Sequence, residues 1–345
     1  MADEEEVPAE PKLPKVLMVL TSYEGTDEAK SGFYLSEAVE PYNVFVSNGW
    51  EVAFASPAGT AVADPASVTG GDAASVSFWE DEEKKKLLTE QTKLADVPLE
   101  TATTDYDALY FVGGYGCMYD LPDCAEAQAL IKAFLEAGNK PVAAVCHGPI
   151  VLANIVMGDE TPLLVEKECT GFSDAEETAM GSLETIAALP TGTCQTAMAA
   201  KCGKLFKVGA PFAPRICKAG TLFTGGNPAS AAPLATEVVY FFDAVKAEFE
   251  PPRLALLKKR EVCVGEIEKM DGGFKTSLDA LKKEEAAGAA GVAEKLEELT
   301  SKVAVEQKFR SSILTDIDNQ LERNAVLRKA KIDKLAADAA AAEEE

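Results

Sequence analysis

The chain has a single histidine, His147, in 345 residues, so any imidazole chemistry must run through that position. A conventional zinc site is poorly supported by one histidine. It is no better supported by the eight cysteines (Cys117, Cys124, Cys146, Cys169, Cys194, Cys202, Cys217 and Cys263), none of which forms a Cys-x-x-Cys pair. Basic charge is also scarce. The formal net charge is −24, of which −21 falls on residues 1–245 and −3 on residues 246–345. A folded part this acidic lacks the basic patch needed for sequence-independent binding to nucleic acid or anionic lipid. No run approaches the roughly 18 apolar residues of a membrane span. The opening Met-Ala-Asp-Glu-Glu-Glu is the opposite of a basic signal or transit peptide. The expected setting is a reducing cytoplasm or a connected compartment, with the cysteines free.

What is present is enough apolar material, 47% of residues, for a sizeable core, in a length that suits one large α/β domain with an addition. Apolar runs at 15–20, 51–55, 107–112, 141–145 and 221–224 read as strands. Helical patterns near 31–48, 81–94, 124–137 and 230–248 alternate with them, and residues 60–80 read as irregular. Such alternation predicts a doubly wound, mostly parallel sheet flanked by helices, with the ligand at the carboxyl ends of the strands. Three segments follow: an acidic arm over 1–13, the α/β domain over 14–250 and a helical tail over 251–345. Pro251-Pro252 punctuates the chain, and Gly272-Gly273 and Gly288–Gly291 are predicted breaks. In the tail, Val292, Leu296, Leu299, Val303, Ile313, Ile317 and Leu321 form an apolar stripe, interrupted by Glu306, Arg310 and Asn324. It is an imperfect heptad, nearer a long amphipathic helix than a continuous coiled coil.

The chemistry concentrates at Val142-Ala143-Ala144-Val145-Cys146-His147-Gly148-Pro149. An apolar strand ends at Cys146 and a helix-capable run starts just beyond it. A residue at such a turn is held exposed, often in a strained conformation. The nearby helix N-terminus is expected to favour thiolate over thiol. Gly113-Gly114 also follows a strand, so the two turns are expected to meet. No lysine and Ser/Thr follow those glycines, which removes a phosphate loop.

Taken in order, the segments Leu20-Thr21-Ser22, Gly32 to Glu37, Val112 to Gly116 with Asp120-Leu121-Pro122, Ala144 to Pro149, Thr170 to Glu177 and Gly226 to Ser230 resemble the DJ-one/PfpI superfamily, the class I glutamine amidotransferase-like fold. The closer resemblance is to its glyoxalase III-like, Hsp-thirty-one-like branch. It covers residues 14–247 and leaves the tail outside. It implies a flavodoxin-like sheet with a cysteine elbow. It implies Cys146 as nucleophile, Glu37 as the carboxylate that moves protons beside it, and His147 with Glu177 as the orienting pair. Backbone N–H groups around Gly113, Gly114 and His147 would hold an oxyanion. The position that commonly carries His in this branch is Tyr115 here, a hydrogen-bond donor but not a ready proton shuttle at neutral pH. Glu176 beside Glu177 leaves that register open by one residue.

The implied activity is a glyoxalase independent of glutathione, converting methylglyoxal or related 2-oxoaldehydes to 2-hydroxy acids without metal or organic cofactor. Its class would be lyase, specifically D-lactate dehydratase, and a deglycase or chaperone-like stress role comes with the resemblance. Two other readings stand beside it. One is a catalytically weak or redox-sensing interaction protein anchored by its tail in an assembly such as a cytoskeletal or axonemal scaffold. The other is a cysteine peptidase or amidase. An apolar stripe is expected to dock, so residues 253–345 are read as a homodimer or assembly contact.

Overall fold

The computed structural model describes residues 13–286, except Glu28 and Asp159, and short stretches between 295 and 323. Residues 1–12 of the acidic arm expected over 1–13, and the Gly288–Gly291 break, lie outside the described residues. The described chain divides into two compact units, one ending at Asp243 and one beginning at Ala244.

The first unit is built on a seven-stranded sheet. Its strands are β1 (Lys15–Val19), β2 (Glu51–Ser56), β3 (Thr92–Lys93), β4 (Ala108–Phe111), β5 (Val142–Val145), β6 (Ile216–Ala219) and β7 (Leu222–Gly225). Their order is β3-β2-β1-β4-β5-β7-β6, parallel except for the antiparallel β6–β7 pair. Every residue of β4, β5 and β7 is buried, as is all of β1 beyond Lys15, which is why these strands read as unbroken apolar runs. β1 has β2 on one side and β4 on the other. The sheet therefore changes direction at β1, and the crevice at the carboxyl ends of β1 and β4 is where such sheets hold ligands. Leu20 N–H donates to Ala55 O and Val112 N–H to Val19 O, which carries the pairing into the loops that build the site.

The helices modify several sequence expectations. Residues 60–80 are not irregular. Asp64 caps a short helix with Pro65 at its first position, and Asp72 caps Ala73–Glu80 by accepting from Ala74 and Ser75 N–H. The helix expected over 31–48 begins only at Leu35, because Phe33 is engaged in a bridge to Ala63. The helix expected over 81–94 stops at Thr89, where the chain extends into edge strand β3. Ala125–Ala137 ends as a helix commonly does, on Gly138 at φ +69°.

The last helix starts at Ala231 and runs to Ala286. It passes through Pro251-Pro252 and Gly272-Gly273, both expected to break it. Each such residue weakens a helix locally, by about 3 kcal/mol for proline and about 1 for glycine, but the long run of Leu, Lys, Glu and Ala around them supports it. In the second unit Arg260 Nε donates to Asp318 Oδ1 at 2.8 Å, so the chain near 318 lies back along this helix. Ile317 is buried, and Leu299, Val303 and Leu321 of the predicted stripe are half-buried.

Candidate active site

Cys146 follows β5 directly and adopts φ +60°, a conformation rare for any side chain but glycine. Two backbone bonds hold it there. Its N–H donates to Gly225 O at 2.9 Å and its carbonyl accepts from Phe172 N–H at 2.8 Å. Cys194 packs beneath, with Sγ 3.7 Å from the same carbonyl. The strain persists because both neighbouring segments fix the elbow.

Glu37 lies in the first turn of the helix Leu35–Ser47 and is fully buried, although a glutamate there would ordinarily face solvent. It meets Cys146 across Gly113. A Cβ on Gly113 would fall 2.2 Å from Glu37 Oε2 and 2.7 Å from Cys146 Cβ, so only glycine fits between them. Gly114, at φ +121°, packs against Gly32 O and Tyr34 N, where a Cβ would lie within 2.4 and 2.6 Å. Both Glu37 oxygens are buried without a hydrogen-bond partner. Loss of water therefore raises the carboxyl to about 8, against a smaller opposing pull from the nearby Cys146 thiol and Gly113 amide.

The thiol does not follow the sequence expectation. Only a short 3-10 turn, Gly148–Leu152, follows the elbow in place of a full helix, so the dipole there is weak. Burial, then the charge of Glu37, pushes the Cys146 thiol well above its ordinary value, and the His147 amide only partly opposes them. Burial at this elbow thus favours the thiol over a free thiolate.

On the other side, Cys146 Sγ lies 3.3 Å from His147 Nδ1, and His147 Nε2 lies 2.9 Å from Glu177 Oε1. Burial acts to raise Glu177, but donors from His147, Ser182 and Tyr115 outweigh it and hold the carboxyl below its usual value. An ionised Glu177 accepts from His147 Nε2–H, and in the neutral imidazole this leaves Nδ1 as an acceptor facing the sulfur. Tyr115 OH donates to Glu177 Oε2 at 3.1 Å, and Ser182 Oγ lies 2.5 Å from both that oxygen and the Tyr115 hydroxyl. Tyr115 thus supports the Glu177 side. Burial pushes its own phenol up, which keeps it protonated as a donor.

The one-residue ambiguity between Glu176 and Glu177 resolves physically. Glu176 closes a capping box with Ser173 and accepts from Phe212 N–H and Asn227 Nδ2, so both of its oxygens are engaged in structure. Sequence reasoning missed Ser182. It reaches Glu177 only because the chain reverses after Gly181, at φ +72°, and no motif marks it. Phe172 was part of a motif without a role, and its ring lies 4.5 Å from the His147 ring. The His147 amide faces the Cys146 sulfur, and Gly114 lies beside it in the turn after β4. No cluster of three or more His, Cys, Asp or Glu among the described residues could hold a metal ion.

The arrangement is thus a buried thiol between an unpartnered carboxyl that titrates near neutral pH and a firmly held His–carboxylate pair. It can transfer a proton on either side of a carbon attached to sulfur. The chain is 31% identical over 241 residues to glutathione-independent glyoxalase HSP31 of Saccharomyces cerevisiae, covering 67% of this chain and 98% of that protein. It is 29% identical to glyoxalase 3 of Candida albicans, over 66% of this chain and 98% of the relative. The crystal structure of glyoxalase III from Candida albicans superposes with a TM-score of 0.60 at 28% identity, covering 66% of this chain and 97% of that one. Residues 29–240 match the DJ-1/PfpI family, and the chain belongs to it.

Proposed function

We propose that the protein is a glutathione-independent glyoxalase that converts methylglyoxal or a related 2-oxoaldehyde to the 2-hydroxy acid. The observation that carries this reading is the Glu37 carboxyl, buried without a hydrogen-bond partner against the elbow thiol. A structural carboxylate would be paired, as Glu177 is; a proton carrier must give up and take back its proton within the site.

In the proposed sequence, Cys146 Sγ adds to the aldehyde carbon while Glu37 takes the thiol proton. Glu37 returns that proton to the new alkoxide, which the Gly114 and His147 amides stabilise as it forms. The product is a hemithioacetal. Glu37 then removes the hydrogen on the former aldehyde carbon and, through an enediol, delivers a proton to the adjacent carbonyl carbon. The aldehyde carbon is oxidised to a thioester and its neighbour reduced to an alcohol, so no external oxidant is needed. Water cleaves the thioester, releasing the hydroxy acid and the thiol. His147, oriented by Glu177, is placed to activate that water through Nδ1. No metal or organic cofactor enters the sequence.

The same reading makes the reaction that of a D-lactate dehydratase in the lyase class, with a cytoplasmic setting. Every residue it uses precedes residue 231. We place residues 253–345 outside the chemistry, as a self-pairing or docking element; a cytoskeletal or ciliary scaffold is one example of the assembly that the interaction reading invokes.

The test is methylglyoxal consumption with stereospecific lactate detection, without glutathione or added metal, on wild type, Cys146→Ser and Glu37→Gln. Turnover by wild type that is lost in both variants supports the proposal. No turnover by reduced, folded wild type refutes it. Formation of L-lactate would refute the D-specific part alone.

A further inference from the structure

Phe212 combines three features that seldom occur together. It is 46% exposed, its backbone sits at φ +60°, and its own N–H donates to the buried Glu176 Oε1 at 2.8 Å. An aromatic residue is disfavoured in that backbone region, and a ring left 46% exposed gains little from burial to offset the strain. The conformation is imposed from outside. The loop 207–215 is tied by Thr170 Oγ1 to Lys207 O at 2.7 Å, by Asn227 Nδ2 to Ala213 O at 2.7 Å and by Gly226 N–H to Arg215 O at 2.9 Å. Thr170, Glu176, Gly226 and Asn227 all belong to segments that build the elbow and its His147–Glu177 pair. The scaffold that positions the reacting groups therefore also holds Phe212 in a strained pose, and strain that is over-determined in this way points to function.

His147 lies 4.5 Å from both the Tyr115 and Phe172 rings, and Phe172 meets Phe212 at 6.4 Å with planes 59° apart. An aromatic series thus runs from the imbedded imidazole to solvent and ends on Phe212. Glu37 packs against Cys146 across Gly113. A substituent on the second carbon of a 2-oxoaldehyde bound to Cys146 that leaves the site past His147 meets these rings.

We propose that Phe172 and Phe212 form a subsite for the substituent of the 2-oxoaldehyde, so that the protein prefers aryl-substituted substrates over methylglyoxal. This inference rests on the glyoxalase reading and names its substrate class. Phe212 is the specificity-determining residue, because its ring is the exposed end of the series. Glycine adopts φ +60° freely, so Phe212→Gly removes the ring and the strain together.

The experiment compares kcat/KM for phenylglyoxal and methylglyoxal in wild type and Phe212→Gly, with Tm measured on both proteins. The expected result is a wild-type preference for phenylglyoxal that falls by about tenfold in the variant, the size expected for loss of one aromatic contact, with no fall in Tm. An unchanged ratio overturns the subsite, as does a ratio that falls only together with Tm. A binding measurement separates this inference from the reaction itself. Mandelate, the product from phenylglyoxal, should raise the wild-type Tm more than lactate does, and Phe212→Gly should erase the difference. If wild type turns over neither aldehyde, the glyoxalase reading fails, while selective stabilisation by mandelate still upholds an aryl subsite. Equal effects of mandelate and lactate overturn that subsite as well.

Discussion

Glu37 and Glu177 are both buried against the Cys146–His147 dipeptide, yet burial ends differently on the two sides. Glu177 has donors from His147, Tyr115 and Ser182, and stays ionised below the usual carboxylate range. Glu37 has no partner in hydrogen-bond geometry, only the weaker pull of the nearby Cys146 thiol and Gly113 amide, and loss of water raises its carboxyl to about 8. The difference lies in hydrogen-bond partners and in how fully each carboxyl is desolvated, not in residue type. A carboxylate with three donors is a fixed charge that orients an imidazole; one with no donors exchanges its proton near neutral pH.

The comparison can be broken most severely at the sulfur both sides serve. Cys146→Ser should lower kcat/KM for a 2-oxoaldehyde by about 10^4-fold or more, because the covalent step is lost. On the mobile-proton side, Glu37→Gln should cost about 10^2 to 10^4-fold. For wild type, kcat/KM should climb with pH and level off above about 8, as Glu37 reaches its base form. A profile flat from pH 6 to 9 would remove Glu37 as the base.

The same substitution sharpens the contrast in stability. The folded-state pKa of Glu37 is raised above the ordinary 4.5, so the native protein binds more protons than the unfolded chain between those values. Stability associated with this group is complete below about pH 4.5 and is lost as pH rises through about 8. Glu37→Gln should therefore be more stable than wild type at pH 8, on the order of a few kcal/mol, and the gain should shrink toward pH 5. Chemical denaturation at the two pH values measures this. A variant that is less stable at both would show that the carboxylate is satisfied after all.

The fixed-charge side should respond less. Tyr115→Phe removes one of three donors to Glu177 and should lower kcat/KM about fivefold, the worth of a single hydrogen bond, while leaving the plateau near pH 8 in place. A shift of that plateau would mean that the two sides share a proton. The smallest effect is expected far from both glutamates: removal of residues 253–345 should leave kcat/KM unchanged, and a large loss would bring the tail into the chemistry.

Much of the scaffold was readable from local pattern. The buried strands are continuous apolar runs, and Ala125–Ala137 has its terminal glycine. Cys146, His147 and Gly113-Gly114 stand at strand ends, where short-range rules apply. Edge strands β3 and β6 were missed because they are short and carry Lys93 and Lys218, which give no apolar signal. The helices at 65–69 and 73–80 were missed because small residues gave little periodicity, although Asp64, Asp72 and Pro65 mark their starts. Within the site, Ser182 and Phe212 carry no motif at all. Each is brought in by a turn, and its partner lies a few to several dozen residues away.

The sequence by itself determined which groups are available: one imidazole, one cysteine at an elbow, and carboxylates within reach of a parallel sheet's carboxyl edge. Their spacing along strands and turns follows from backbone geometry that neighbouring residues dictate. Tertiary structure alone decided what each group became. It stripped water from Glu37 without supplying a donor, engaged Glu176 in a cap so that Glu177 faces His147, and turned Tyr115 toward that carboxylate. It also raised the Cys146 thiol where a helix dipole was expected to lower it. Ionisation depends on desolvation and on hydrogen-bond partners contributed by distant segments, and neither can be counted until the chain is folded.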